Sequence, residues 1–296
     1  MKRPKWNMLK AILGASIDKC SRLFLIAAVF TVLIFSNSDG FAKDISSLKS
    51  RLNEASDAER AKIHEEIAWI SKDVRVENLI KHGRLSLRYS NLTGDLFTKS
   101  SALNRIGEYH YITGHYDSAV YYFKKSFFLR KSLKDKRSTA GSSQNLGLSY
   151  LKLEALDSSK KYLELSETLF KSEGNNEKSL QILTSLIIID LKKGNLVSAR
   201  QQLNKLSNIV IKNRDIKADF HFAQAYYYLL NRNYTKSKKQ ILKSLKLSKK
   251  DRDTNNIASN LFLKAQVDYY LGNIDSTLNS YNLLKGVSVM LPHRLN

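Results

Sequence analysis

The chain has 296 residues, 43% of them hydrophobic and 26% charged, a balance that permits a buried core and excludes wholesale disorder. Its 49 Lys+Arg against 27 Asp+Glu give a formal net charge of +22, which directs attention to nucleic acid, anionic surfaces and acidic proteins as partners. Pro4 and Pro292 bracket 287 residues without a proline, and Cys20 is the only cysteine; a turn-punctuated all-β fold, an intrachain disulfide and any CxxC site are thereby excluded, and helices are expected.

The N-terminus carries Lys2, Arg3, Lys5, Lys10, Lys19 and Arg22, then an apolar run from Leu23 to Phe35, then Gly40-Phe41-Ala42. Basic region, apolar core and small-x-small site predict a secretory signal over residues 1–42, cleaved after Ala42. Thirteen apolar residues reach only about 20 Å as a helix, short of the ~30 Å hydrocarbon core. The alternative is an uncleaved anchor formed by residues 23–35. Cleavage would leave 43 basic and 25 acidic residues, a net +18, and no cysteine. The expected location is the periplasm or the extracellular space, where nucleic acid is an improbable partner. Residues 43–54 read as a polar lead-in, itself open to helix formation.

From residue 55 to 289 the sequence repeats itself. Gly114-His-Tyr-Asp-Ser-Ala119, Gly194-Asn-Leu-Val-Ser-Ala199 and Gly272-Asn-Ile-Asp-Ser-Thr277 are clear copies, with weaker ones beginning at Glu154 and Arg232. Their first residues lie 40, 40, 38 and 40 apart, a regularity that signals a stacked array. In each copy Gly suits a left-handed helix end. A large apolar residue follows two positions on (Tyr116, Leu156, Leu196, Tyr234, Ile274), then Asp or Ser as the expected cap of the next helix. Small residues precede the turn at Gly107, Gly147, Ala225 and Ala265, with Ile187 in the same slot. Phe123, Leu163, Leu203, Ile241 and Tyr281 fill a matching slot after it. The register predicts helix pairs at 55–71 and 75–91, 97–113 and 116–132, 137–153 and 156–172, 177–193 and 196–212, 216–231 and 234–250, and 255–271 and 274–288. Residues 290–296 are left as a short tail.

Leu103, Ile106, Gly107, Gly114, Tyr116, Ala119 and Phe123 resemble the tetratricopeptide repeat (TPR), with a period of 38–40 in place of the common 34; longer second helices or loops are expected to absorb the excess. The resemblance implies an all-α, right-handed superhelical solenoid of about six hairpins. It also implies a concave groove lined by the first helix of each pair. Carried onto this sequence, the groove positions are Asn104, Glu108, Tyr111, Gln144, Leu148, Leu151, Thr184, Ile188, Leu191, Phe222, Tyr226, Leu229, Phe262, Gln266 and Tyr269. Such a surface suits a protein or peptide ligand. The family's carboxylate clamp is not reproduced, because its slots hold Asn104, Arg105 and Asn145 without a matching Lys. The chain further resembles the exported sensor half of bacterial TPR regulators.

A second charged feature is a stripe of Lys236, Lys239, Lys243, Lys246 and Lys250, whose alternating spacings of 3 and 4 place them on one helix face. Lys238, Lys249 and Arg252 broaden it, and Arg200–Asp253 holds 14 basic and 4 acidic residues. A solvated outer face is one reading; contact with an anionic surface or an acidic protein is the functional one. His110 and His115 straddle a turn without a third ligand, and no HExxH, phosphate-binding glycine loop or G-x-S-x-G elbow occurs. No catalytic residue, metal or cofactor is expected. The sequence thus reads as a non-catalytic exported TPR scaffold, open to self-association. The alternative is a truncated, membrane-anchored extracytoplasmic sensor domain.

Overall fold

The forty-residue period comes from two helices and two tight links. The computed structural model describes residues 45–72, 75–210, 216–251 and 253–293. Residues 1–42, Arg252 and the last three residues of the chain, for which a signal, part of the stripe and a tail were predicted, lie outside the described residues. The chain forms two compact units, Met1–Glu54 and Ala55–Asn296; the described part of the first holds a helical segment over 45–51.

The second unit is a row of six helical hairpins. They are α1 (Asp57–Ser71) with α2 (Val76–Thr93), α3 (Leu96–Ile112) with α4 (Tyr116–Ser132), α5 (Lys136–Lys152) with α6 (Leu156–Ser172), α7 (Asn176–Lys192) with α8 (Leu196–Val210), α9 (Lys217–Leu230) with α10 (Tyr234–Lys250), and α11 (Thr254–Tyr270) with α12 (Ile274–His293). From α3 to α7 every helix has 17 residues. The excess over the common repeat therefore sits in both helices of the pair, and the links stay at three residues. The helix ends agree closely with the sequence pattern, except that α12 continues to His293. Gly286 keeps helical backbone there and does not adopt the left-handed turn of the other glycine-ended helices.

The links between α3 and α8 share one hydrogen-bonded turn. After α3, His115 N–H donates to His110 C=O (2.8 Å) and Gly114 N–H donates to Tyr111 C=O (3.2 Å). These two bonds satisfy carbonyls that the helix end leaves open. The first of these, which spans five residues, recurs from Ala155 to Tyr150, Asn195 to Asp190, Asn233 to Tyr228 and Asn273 to Asp268. So short a turn starts the next helix on the large apolar residue itself. The capping position is consequently the residue before it, not the Asp or Ser expected from the sequence: Asn233 Oδ1 accepts from Lys236 N–H at 3.1 Å. Asp117, Asp157 and Asp275 instead occupy first turns, where a carboxylate complements the helix dipole.

The turn requires a left-handed residue. Gly114 supplies it at φ 80°, but Lys134, Glu154 and Arg232 adopt φ 56–57° without being glycine. An L side chain in that region costs about 1–2 kcal/mol. Lys134→Gly and Arg232→Gly are each expected to stabilise the fold by about 0.5–1 kcal/mol, after the added freedom of the unfolded chain is counted. A rise in the urea midpoint of each variant checks this.

Packing is between neighbours along the row. Successive first helices approach one another, whereas successive second helices do not, among the described residues. First helices therefore lie on the inner side of the curve. Within a hairpin the two slots noticed in the sequence meet. A Cβ on Gly107 would lie 2.6 Å from Phe123 Cδ1, and one on Gly147 would lie 2.5 Å from Leu163 Cγ. A further periodic contact comes from serine. Ser86, Ser126, Ser166 and Ser244, all fully buried, donate from second helices to first-helix carbonyls of Ala61, Ser100, Ala140 and Ala218 at 2.7–2.8 Å. Each hydroxyl is satisfied in the interior by a main-chain carbonyl, which offsets the cost of its burial; Ser126 Oγ also lies 3.3 Å from Ser142 Oγ, and Ser244 Oγ accepts from Asn260 Nδ2 at 2.9 Å.

Candidate functional site

The inner faces of α3, α5, α7, α9 and α11 enclose a cavity of about 570 Å³. Its lining follows helical spacing: Gln144, Leu148, Leu151 and Lys152 on α5; Gln181, Thr184, Ser185, Ile188 and Lys192 on α7; Asp219, Phe222 and Tyr226 on α9. Asn256, Ser259, Phe262, Leu263 and Gln266 come from α11, with its cap Asp253, and Tyr111 comes from α3. Residues three and four apart share a face, so each helix offers one stripe. The volume lies within the range of ordinary ligand sites, and the mix of aromatic, aliphatic and amide groups is their usual lining.

Most of the positions inferred from the repeat register come together here. Tyr111, Gln144, Leu148, Leu151, Thr184, Ile188, Phe222, Tyr226, Phe262 and Gln266 all line the cavity. Asn104 does not. It is 4% exposed; its Nδ2 donates to Glu108 Oε1 at 2.9 Å and its Oδ1 accepts from Asn145 Nδ2 at 3.2 Å. Glu108 is also committed, to Arg105 at 2.6 Å, and Arg105 in turn reaches Glu65 on α1 at 2.9 Å. Trp69 lies over this guanidinium, 4.3 Å from its ring centroid. Because α1 and α3 pack directly, Asn104, Arg105 and Glu108 are drawn into a network between helices and do not line the groove. Burial alone would lower the Arg105 pKa, but Glu108 and Glu65 outweigh it and hold the guanidinium above its ordinary value. Leu191 is buried beside Ile187 and Leu203, Leu229 packs on the Ala225–Ile241 core, and Tyr269 stands 62% exposed outside the cavity lining.

Asp219, Asp253, Asn256, Gln181, Lys152 and Ser259 were not inferred from the sequence. Extending the Phe222 and Phe262 stripes one turn toward their N-termini reaches Asp219 and Ser259, and a second turn reaches Asn256. Across the cavity, burial raises the Tyr111 phenol, and Tyr116 and Asp253 add to the shift. The Lys152 ammonium is lowered, by burial first and by Lys192 second, with Asp253 and Glu154 opposing. Asp253 thus acts on groups from α3 and α5, which places the second, third and sixth hairpins around one space. Lys192 is neutralised by Glu154 at 2.7 Å.

The lysine stripe lies on the outer helix α10. Lys236, Lys239, Lys243, Lys246 and Lys250 are all exposed there, and Lys236 sits 5.7 Å from the Tyr228 ring centroid. Lys238 turns inward to Asp268 at 2.6 Å. His110 stacks on Tyr122 and meets His115 edge-on at 6.1 Å. Among the described residues no three His, Cys, Asp or Glu side chains converge as for a metal ion. Among them, too, no helix is long and apolar enough to cross a membrane.

No protein-family model matches the sequence, and no curated protein matches it. Solved structures do match the fold. The apo form of RapI is similar with a TM-score of 0.72 at 15% identity, over 90% of this chain and 96% of that one. A Rap protein complexed with competence and sporulation factor gives 0.66 at 14% identity, over 90% and 75%. The Pyrococcus horikoshii STAND protein with a tetratricopeptide repeat sensor gives 0.62 at 17% identity, over 90% of this chain and 43% of that one. At these identities the likeness concerns the fold: the chain is a TPR-like α-solenoid.

Proposed function

We propose that this protein is a non-catalytic scaffold that binds a peptide or an extended protein segment in its concave groove. The observation that carries the reading is the cavity itself, a preformed space of about 570 Å³ on the inner faces of five helices. A preformed surface keeps the ordering cost of association low. Phe222, Tyr226 and Phe262 supply rigid aromatic contact area, the kind of group that dominates peptide and protein recognition. The likeness to a Rap protein solved with a bound factor supports a binding role. A sensor role is a second reading, supported by the likeness to the STAND protein whose repeats are described as a sensor. Export through residues 1–42 goes with the scaffold reading, and anchoring by residues 23–35 goes with the sensor reading. Fractionation with intact-mass analysis separates them, since a soluble product beginning near Lys43 fits export and a full-length membrane product fits anchoring. The exposed lysines of α10 suit an anionic surface or an acidic protein.

Phe262 gives the cleanest test, because it is 48% exposed and lines the cavity, whereas Phe222 and Tyr226 also pack on the core. Phe262→Ala is expected to weaken binding of a C-terminally labelled hexapeptide mixture about tenfold, the weight of one aromatic anchor. The thermal midpoint should hardly move. Unchanged binding in the variant would remove the groove as the site.

A further inference from the structure

We infer that the groove's ligand presents a positive charge, an N-terminal ammonium or a Lys or Arg side chain, to Asp219 and Asp253. This rests on the groove being a ligand site; the cavity marks the site, and the two carboxylates set its polarity.

Asn256 fixes the arrangement. Its Nδ2 donates to Asp219 Oδ1 and to Asp253 Oδ2, both at 2.8 Å. Oxygens bonded to one nitrogen are necessarily near neighbours, so two carboxylates from α9 and the start of α11 face the same small space. Asp253 Oδ1 also caps α11 by accepting from Asn256 N–H at 3.0 Å. The amide separates the carboxylates without neutralising either. Asp219 shows the consequence, for burial and then the charge of Asp253 raise its pKa, against the bond from Asn256.

A chain with 49 basic residues has cations to spare for its inward-facing acids. Asp190 holds Lys160 at 3.3 Å, Asp268 holds Lys238 and Lys264 at 2.6 Å, and Glu108 holds Arg105 at 2.6 Å. Asp219 and Asp253 form no ion pair among the described residues, although they line a cavity. The lining as a whole carries three carboxylates (Glu154, Asp219, Asp253) against two ammonium groups (Lys152, Lys192), reversing the sign of the protein's net charge of +22. Aromatic rings stand nearby. Phe222 follows Asp219 by one turn on the same face of α9, and Phe262 lies on the cavity stripe of α11. A cation placed here would meet two acceptors with aromatic faces alongside, both favourable to it.

The test uses the full chain and four mixtures of C-terminally labelled hexapeptides: free or acetylated at the N-terminus, and with or without one Lys or Arg. Fluorescence anisotropy is expected to show the mixture lacking both charges binding at least about tenfold more weakly than the mixture carrying both, as for loss of a buried charge-assisted contact. Loss on acetylation alone identifies the N-terminal ammonium as the group; loss on omission of Lys and Arg identifies the side chain. Asp219→Asn with Asp253→Asn should abolish the preference while the neutral mixture still binds. Asn at 253 keeps a capping oxygen for α11, and Asp219→Asn alone serves as a second, milder variant that should reduce the preference. Equal binding of all four mixtures, a preference untouched by the Asn variants, or tighter binding of added Asp- or Glu-containing peptides would overturn the inference and leave the groove reading standing. Failure of every mixture to bind would overturn both.

Discussion

Asp268→Ala is expected to destabilise the protein by about 3–5 kcal/mol, the range for removing one partner from a buried charge cluster. The side chain is fully buried. One carboxylate oxygen lies 2.6 Å from Lys238 on α10; the other lies 2.6 Å from Lys264 on α11 and accepts from Ser276 on α12, again at 2.6 Å. Three helices of the last two hairpins converge on this residue. Alanine would leave two ammonium groups facing each other with no counter-charge. Asp268→Asn keeps the shape and isolates the charge. The pH dependence follows from the same contacts. Burial alone would raise the Asp268 pKa, but the bonds from Lys238, Lys264 and Ser276 win and hold it below the ordinary carboxylate value. A carboxylate with a depressed folded pKa binds fewer protons than its unfolded counterpart. Its contribution is therefore full above about pH 4 and is lost as the pH falls through the folded value. Urea midpoints of wild type and Asp268→Asn should differ clearly at pH 7 and converge in strong acid.

Gly147→Val comes next, with an expected loss of about 2–3 kcal/mol. Even a single Cβ at this position would lie 2.5 Å from Leu163 Cγ, 2.8 Å from its Cδ2 and 3.2 Å from its backbone nitrogen. The side chain has little room to swing away, and the backbone cannot retreat without parting α5 from α6. Gly141 lies on the same helix with nothing within 4 Å of its would-be Cβ. There Gly→Ala should stabilise the helix by about 1 kcal/mol. The opposite signs, read from two thermal midpoints, separate helix propensity from interhelical clash. Combining Gly147→Ala with Leu163→Ala should cost less than the sum of the single changes, because the two residues compete for one space.

The slots that fix this packing are legible in the sequence. Gly147 and Leu163 stand out in the sequence because each recurs at a fixed distance from the turn, and a hairpin brings those distances together. The helix pairs followed from the same register. Capping is not legible in the same way, because Asp117 and Ser118 are cap-type residues wherever a helix begins, and only the length of the turn decides which residue precedes the first helical one. Ser86, Ser126, Ser166 and Ser244 carry a period of about forty that hydrophobicity hides: serine reads as polar, yet these hydroxyls donate to carbonyls in the interior. In the groove, Leu148, Phe222 and Phe262 were reachable because the repeat register names a face. Asn104 shares that register and is nevertheless withdrawn, since its fate depends on Glu108 and Asn145, which belong to contacts between helices. Asp219 and Asn256 lie beyond the three positions per helix that the register marks, and their meeting requires α9 and α11 to be side by side.

The neighbour-only packing of the hairpins has a consequence for how the molecule comes apart. Among the described residues no helix of the first hairpin packs on a helix of the last in the way a sheet or a closed bundle would require, so unfolding is governed by local units and the couplings between them. Such a chain loosens from its ends, and hydrogen exchange should grade from fast terminal hairpins to slow central ones. An occupant of the cavity touches α3, α5, α7, α9 and α11 at once. It supplies the long-range connection that the polypeptide lacks, and it converts a stepwise melting into one transition whose midpoint rises with ligand concentration.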